Sequence, residues 1–342
     1  MSEPQTIAVL GGGSFGTVIA QIAAVNDNEV RLWTRREEVA QAIQSTRENA
    51  RYLPGLSLHP NLVASSDLQA VLQGASLVFF AVPSKSFRSV VELSRASISR
   101  DQKLVSTTKG IEPGTLNLMS DVLRSVFPDN PIGVMGGPNL AKEIAKGELA
   151  ATVIASEVSE LRQSVQAALG CGNFRVYASA DVYGVELGGA LKNIYAIIAG
   201  IVAARGMGEN TIAMLLTRSL AEMGRFAQVQ GANPMTFLGL SGVGDLIATC
   251  SSPLSRNYRV GFALGEGRDL DDAVAELGEV AEGVNTLIQI KRCADEQEIY
   301  MPLVQGLYKI IHEKVPLDAV IKQLMSAEQS SDVEFTLARD EI

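Results

Sequence analysis

Thr6-Ile7-Ala8-Val9-Leu10-Gly11-Gly12-Gly13-Ser14-Phe15-Gly16 is the stretch that decides the fold. A short apolar run rich in β-formers leads straight into a glycine turn. Phe15 to Val25 then continues with helical spacing until Asn26-Asp27-Asn28 breaks it. Gly11-x-Gly13-x-x-Gly16 placed between a strand and a helix is the context that gives this glycine pattern meaning as a dinucleotide fingerprint. Gly11 permits the tight turn, Gly13 lets the backbone approach a pyrophosphate, and Gly16 lets helix and strand pack closely. The helix N-terminus offers free N–H groups to the anion, and Ser14 and Phe15 line the turn.

Outward from this unit the pattern repeats. Glu29 to Trp33, Leu77 to Val82, Lys103 to Thr107 and Pro131 to Met135 read as further buried strands, separated by helical patterns such as Arg36 to Thr46 and Leu116 to Val126. Alternation of this kind predicts an α/β Rossmann-like, doubly wound parallel sheet. Strand-like runs continue at Ala151 to Ala155 and Phe174 to Ala178. After about residue 185 helical patterns dominate, with turns expected around Gly206, Gly231, Gly242 and Gly265. The expected organisation is a dinucleotide-binding domain over residues 1–185 and an all-α substrate-binding and catalytic domain over 186–342. A length of 342 residues suits two domains of ordinary size.

Composition narrows the chemistry. The net charge of −9 argues against nucleic acid as a partner. Three scattered cysteines in no paired motif suggest neither a disulfide framework nor a metal site, and fit a reducing cytoplasm. The N-terminus lacks the basic flank of a signal peptide. The most apolar internal segment, Ile194 to Ala204, is shorter than the roughly 20 residues of a membrane span and reads as a buried helix. With two histidines in the chain, His59 and His312, another base is expected to carry the reaction.

The second strand closes with Trp33-Thr34-Arg35-Arg36. An acidic residue there would bind the adenosine ribose, whereas arginine suits a 2′-phosphate, so NADP(H) is favoured, with NAD(H) possible. Lys109, between a buried strand and Gly110, is a costly place for a merely solvated charge, and an anion or a reacting carbonyl is its expected partner. Gly188-Gly189-Ala190-Leu191-Lys192-Asn193 reads as the opening of an apolar helix. Gly189, Asn193, Ala196 and Gly200 recur along it at helical spacing, and Lys192 is anomalous on that dry face. Asp245, in a glycine turn, and the triplet Ser255-Arg256-Asn257 read as ligand loops, the triplet suited to gripping a phosphate. Each has a structural alternative, since Asp245 and Ser255 are also good helix caps. Reducing a ketone requires hydride on carbon and a proton on oxygen, and with histidine scarce the Lys192 ammonium is the natural proton donor.

Taken together, GGGSFGTVIA, Asn49 to Gly55, Thr108 to Glu112, Gly136 to Ala145, Gly188 to Ile197, Thr217 to Arg225, Thr236 to Cys250, the SRN triplet and Glu279 to Thr286 resemble the NAD(P)-dependent glycerol-3-phosphate dehydrogenase family, in family order. The resemblance implies reversible interconversion of dihydroxyacetone phosphate and sn-glycerol 3-phosphate, supplying glycerophospholipid synthesis. It implies dinucleotide contacts from Ser14, Phe15, Arg35, Lys109, Ala141, Arg256, Val280 and Glu282. It implies a substrate site of Lys109, Gly137, Asn139, Lys192, Asp245, Ser255, Arg256 and Asn257, with Lys192 exchanging the proton. Phe15 stands where the family often has Trp, and Asn139 where it usually has Ser or Thr. A homodimer through the helical domain is expected. The competing readings are a dehydrogenase of another phosphorylated or carboxylated hydroxy acid, and a dinucleotide sensor without turnover.

Overall fold

In a computed structural model of the chain, residues 4–277 and 281–326 are described. Eight strands form one sheet: β1 (Thr6–Leu10), β2 (Glu29–Trp33), β3 (Leu62–Ser65), β4 (Leu77–Phe80), β5 (Lys103–Ser106), β6 (Ile132–Gly136), β7 (Ala150–Ala155) and β8 (Phe174–Ser179). Their spatial order is β3-β2-β1-β4-β5-β6-β7-β8. Ile7 to Leu10 and Leu77 to Phe80 are completely buried, because helices cover both faces of the central strands. The order reverses between β1 and β4, and the crevice beyond the carboxyl ends of these strands is where such sheets take their ligands.

The parallel reading holds from β1 to β6 and is corrected at one edge. β7 runs antiparallel to β6, with Val134 opposite Ala155, and β8 then runs parallel to β7. The chain between β6 and β7 holds the short helix Ala141–Ala145 and reverses at Gly147, whose φ of +81° is left-handed. An antiparallel pair needs no long crossover, so a short reversal suffices. The edge strand β3 and the helix expected from Leu116 are two further differences. Leu118 bridges Ile111 in antiparallel fashion, so the helix starts only at Met119.

The helix that carries Lys192 is longer than expected. It spans Val182–Ala204, capped by the Asp181 side chain, which accepts the Gly184 N–H at 2.8 Å. Lys192 therefore lies in its middle, not at its opening. Val182 and Val185 pack on Val134, Val153 and Ala155 of the sheet, and from Leu187 onward the helix enters a separate helical core with Met223 and Phe226. By length and composition this helix could cross a membrane, yet 78% of its most apolar window is buried inside the protein. At its crossing with the helix Arg256–Gly265, backbone meets backbone: a methyl on Gly200 would strike the Tyr258 carbonyl. Gly242, expected in a turn, sits within the helical segment Leu240–Gly244, whereas Gly265 ends its helix and a turn follows at Glu266 and Gly267.

Glu186 ties this helix to the sheet layer. Its Oε1 accepts the Ser120 N–H at 3.0 Å, at the start of the helix Met119–Val126, while Oε2 is buried with no partner among the described residues. Burial pushes its carboxyl up to about 7. A raised carboxyl holds its proton longer in the folded than in the unfolded chain. Its burden therefore builds as pH rises from the ordinary carboxyl range to about 7 and is full above that. Glu186→Gln is expected to match the native protein at pH ~3.5 and to exceed it at pH ~8 by up to roughly 3 kcal/mol, measured by denaturant unfolding.

Candidate active site

The glycine turn meets its steric demands. Gly11 has φ +125°, and a Cβ there would strike the Ala81 carbonyl beyond β4. A Cβ on Gly16 would strike the Gly11 carbonyl, so the helix Ser14–Val25 can start this close to β1 only with glycine. Gly13 differs: a Cβ on it would meet nothing within 4 Å. It caps the helix with no side-chain hydrogen bond, so no capping side chain takes up the first N–H groups. This is a cradle that a side chain would fill and a pyrophosphate fits. Gly13 has ordinary extended backbone, φ −77° and ψ −179°, so Gly13→Val is expected to fold normally and to bind NADPH at least about tenfold more weakly. Fluorescence titration beside a thermal melt checks both halves.

Arg35 and Arg36 follow β2 on the same carboxyl edge, and both are exposed. Arg36 pairs with Glu38 at 3.5 Å, both side chains being at least half open, so the pair contributes little and leaves the guanidinium available. Ala141 is the first residue of its short helix. Glu282 starts the helix Glu282–Glu296 and reaches across to the helix Ser84–Ser94, where its carboxylate accepts the Ser84 N–H at 3.0 Å and the Ser84 hydroxyl. Val280 lies outside the described residues.

The reactive centre is built around one carboxylate. Asp245 is 1% exposed and begins the helix Asp245–Ser251, with Gly244, not its own side chain, at the cap position. Oδ1 accepts from Lys192 Nζ at 2.6 Å, and Oδ2 from Lys109 Nζ at 2.7 Å. Lys192 also donates to Thr249 Oγ1 at 2.6 Å, and Lys109 to the Gly137 carbonyl at 2.5 Å. Each ammonium carries three N–H donors and meets two acceptors among the described residues, leaving one donor each for a ligand. Within the chain Lys109 thus meets an anion, the Asp245 carboxylate, together with the backbone carbonyl of Gly137. Burial, followed by the nearby Lys192 charge and against the pull of Asp245, brings the Lys109 ammonium down to about 8. Gly189 lies against the Lys109 stem, where a Cβ would be in ordinary van der Waals contact, 3.4 Å from Lys109 Cγ.

A second arm holds the SRN triplet. Ser255 caps the helix Arg256–Gly265 by accepting the Tyr258 N–H at 3.3 Å, and Arg256 follows, exposed, as its first residue. Asn257 donates to Asn193 Oδ1 at 2.9 Å and accepts the Gly283 N–H at 2.9 Å, while Asn193 donates to the Lys109 carbonyl at 3.2 Å. Most of the Asn257 amide is engaged in joining three helices. The N-termini of the helices Arg256–Gly265 and Glu282–Glu296 converge there, a setting that favours an anion. Asn139 donates to Thr152 Oγ1 at 3.1 Å, and its Oδ1 has no partner among the described residues. Sequence reasoning missed Thr249 and Asn193 as parts of this centre. The spacing of Asp245 and Thr249, four apart on one helix face, was the available signal for the first.

A glycine-turn sheet joined to a buried lysine–aspartate–lysine array defines a nicotinamide-dinucleotide dehydrogenase. The models of the NAD-dependent glycerol-3-phosphate dehydrogenase N-terminus and C-terminus match residues 6–162 and 181–322. The chain is 58% identical over 335 residues to "Glycerol-3-phosphate dehydrogenase [NAD(P)+]" of Pseudomonas fluorescens and 59% identical to that of Ectopseudomonas mendocina, covering 98% of this chain and of each relative. Among solved structures, glycerol-3-phosphate dehydrogenase from Coxiella burnetii superposes with a TM-score of 0.90 at 36% identity, covering 95% of this chain and 99% of that one. The chain belongs to the NAD-dependent glycerol-3-phosphate dehydrogenase family.

Proposed function

We propose that this protein reduces dihydroxyacetone phosphate to sn-glycerol 3-phosphate, reversibly, supplying glycerophospholipid synthesis. In this reading residues 1–185 bind the dinucleotide and 186–342 complete the substrate site, the helix Val182–Ala204 crossing from one to the other. The observation that carries it is the shared Asp245 carboxylate, which sets two ammonium groups from the two parts of the chain side by side. The bound nicotinamide supplies hydride. Lys192 gives the proton to the developing alkoxide and takes it back in oxidation, Lys109 adds positive charge, and Asp245 with Thr249 aims Lys192. Arg256, at a helix N-terminus between Ser255 and Asn257, holds the phosphate, and Gly137 and Asn139 close the opposite side.

Cofactor contacts in this reading come from Gly11, Gly13, Ser14, Phe15, Gly16, Arg35, Arg36, Lys109, Ala141, Arg256, Val280 and Glu282. NADP(H) is favoured and NAD(H) accepted, in keeping with relatives named for NAD(P)+. Arg35→Asp is expected to move preference toward NADH by about 1 kcal/mol or more, read as the ratio of kcat/KM for the two cofactors. A native enzyme faster with NADH than with NADPH would show the arginines to be solvated surface. The three cysteines are free, which supports a cytoplasmic setting. Exposed Met214, Tyr300 and Met325 on the helical part support a homodimer; light scattering tests it.

Activity on dihydroxyacetone phosphate, set against glyceraldehyde 3-phosphate and a carboxylated keto acid, tests the substrate. Preference for either comparator would favour the neighbouring dehydrogenase reading. Cofactor binding without turnover on any of them would favour a sensor.

A further inference from the structure

Lys109 stands on a loop, and something must hold that loop. After β5 the chain runs Thr107-Thr108-Lys109-Gly110-Ile111-Glu112 and returns at Leu118. The entry side is pinned to the sheet by the Thr107 hydroxyl on the Phe80 carbonyl at 3.1 Å and the Thr108 hydroxyl on the Val82 carbonyl at 2.6 Å. The return side is closed by the Ile111–Leu118 bridge and by the Glu112 N–H on the Asn117 carbonyl at 3.0 Å. Within that closure the Glu112 carboxylate is the hub. It accepts from Thr115 Oγ1 at 3.0 Å, Asn117 Nδ2 at 2.9 Å, and Arg88 through both Nε and Nη2, the latter at 3.2 Å.

Arg88 belongs to the helix Ser84–Ser94, one turn beyond Ser84, whose N–H and hydroxyl are held by Glu282. Gly110 lies in the gap, where a Cβ would come within 2.9 Å of Glu282 Oε2 and 3.0 Å of Ser84 Cβ. One strut thus joins the cofactor-side carboxylate Glu282 to the loop that bears Lys109.

We propose that Glu112 is a positioning residue for the reaction: its forked pair with Arg88 and its grip on Thr115 and Asn117 fix the loop from which Lys109 reaches Asp245. Glu112 touches neither ammonium. Only its geometry can act. The fork also holds the Glu112 carboxyl below its usual range, so the pair stays ionised wherever the enzyme works. The groups facing the Lys109 ammonium are Asp245 and Lys192, and Glu282 stands beside Gly110. A loosened loop leaves all of them charged and admits water to a group whose proton affinity is set first by burial. The role assigned to Lys109 rests on the proposed function, but the placement of its ammonium can be measured without turnover.

The test is competitive acetylation of the native enzyme and two variants with acetic anhydride across pH 6 to 11, with the labelling of Lys109 read by mass spectrometry. In the native enzyme Lys109 is expected to titrate at about 8. In Glu112→Gln, where an amide N–H faces the guanidinium, it is expected to rise by about one unit or more toward the ordinary lysine value. Turnover is expected to fall about tenfold, with the KM for NADPH changed less than about twofold. Arg88→Gln acts from the exposed end of the pair, tolerates a folding defect in the first variant, and is expected to shift Lys109 in the same direction. Arg88→Lys retains the charge without the fork and is expected to recover only part of the loss. Folded Glu112→Gln and Arg88→Gln proteins with the native Lys109 titration would overturn the proposal. Absence of dihydroxyacetone phosphate reduction in the native enzyme would instead count against the functional reading.

Discussion

Lys192→Ala is expected to lower turnover by about 10²–10⁴-fold, the range for losing a positioned proton-transfer group, with NADPH affinity little changed. The lysine is 7% exposed, and its two observed bonds go to Asp245 and Thr249, so its remaining N–H is the one available to a carbonyl oxygen. Lys192→Arg is expected to fail almost as badly, since a guanidinium cannot serve as base in the oxidation direction. The pH profile separates Lys192 from its neighbour. Asp245 links the two ammonium groups, and burial together with the Lys192 charge lowers Lys109 to about 8. Oxidation of glycerol 3-phosphate by the native enzyme is therefore expected to speed up as pH rises through about 8. In Lys192→Ala that cation is gone, so the residual step moves to higher pH. Near-native turnover in Lys192→Ala would place proton transfer elsewhere, and Lys109→Ala becomes the next variant to assay.

Asp245→Asn is the second large effect. Its carboxylate is almost fully buried and neutralises one of the two positive charges beside it. An amide cannot accept from both ammonium groups as an anion, and two adjacent uncompensated cations carry a cost of about 3–5 kcal/mol if both stay protonated. The cheaper outcome is that one gives up its proton. The variant is thus expected to lose turnover by about 10²-fold or more, and its oxidation pH profile is expected to slide toward acid. Steady-state rates from pH 6 to 10 and a thermal melt at each pH check both. A native pH profile with only a raised KM would reduce Asp245 to a substrate contact.

How much of the structure the sequence discloses depends on how local the cause is. The glycine turn was legible because Gly11 and Gly16 are forced by contacts within the turn and with the adjacent strand. The direction of β7 was not, since an apolar run looks the same whichever way it enters a sheet. β3, a four-residue edge strand with alternating burial, left too short a pattern to register. Lys192 stands out by its incongruity, but its helix begins further upstream than the sequence pattern suggests. Gly188 and Gly189 looked like an opening, while the actual cap, Asp181, lies further upstream. Asn193 and Thr249 were inside stretches already singled out. Their roles come from partners 57 and 84 residues away in sequence, Lys192 Nζ for Thr249 and the Lys109 carbonyl for Asn193, and only the four-residue step from Asp245 to Thr249 hints at the first. Asn257, read as a ligand group, is in good part a strut between helices.

The most direct measurement follows the hydride itself. NADPH deuterated at the transferable C4 position of the nicotinamide is mixed with dihydroxyacetone phosphate and the native enzyme, and the products are read by mass spectrometry and NMR. The expected product is sn-glycerol 3-phosphate carrying one deuterium on C2, formed in step with cofactor oxidation and lost in Lys192→Ala. Cofactor that binds yet keeps its deuterium, with no labelled glycerol 3-phosphate formed, would contradict the assignment of this site as the seat of that hydride transfer.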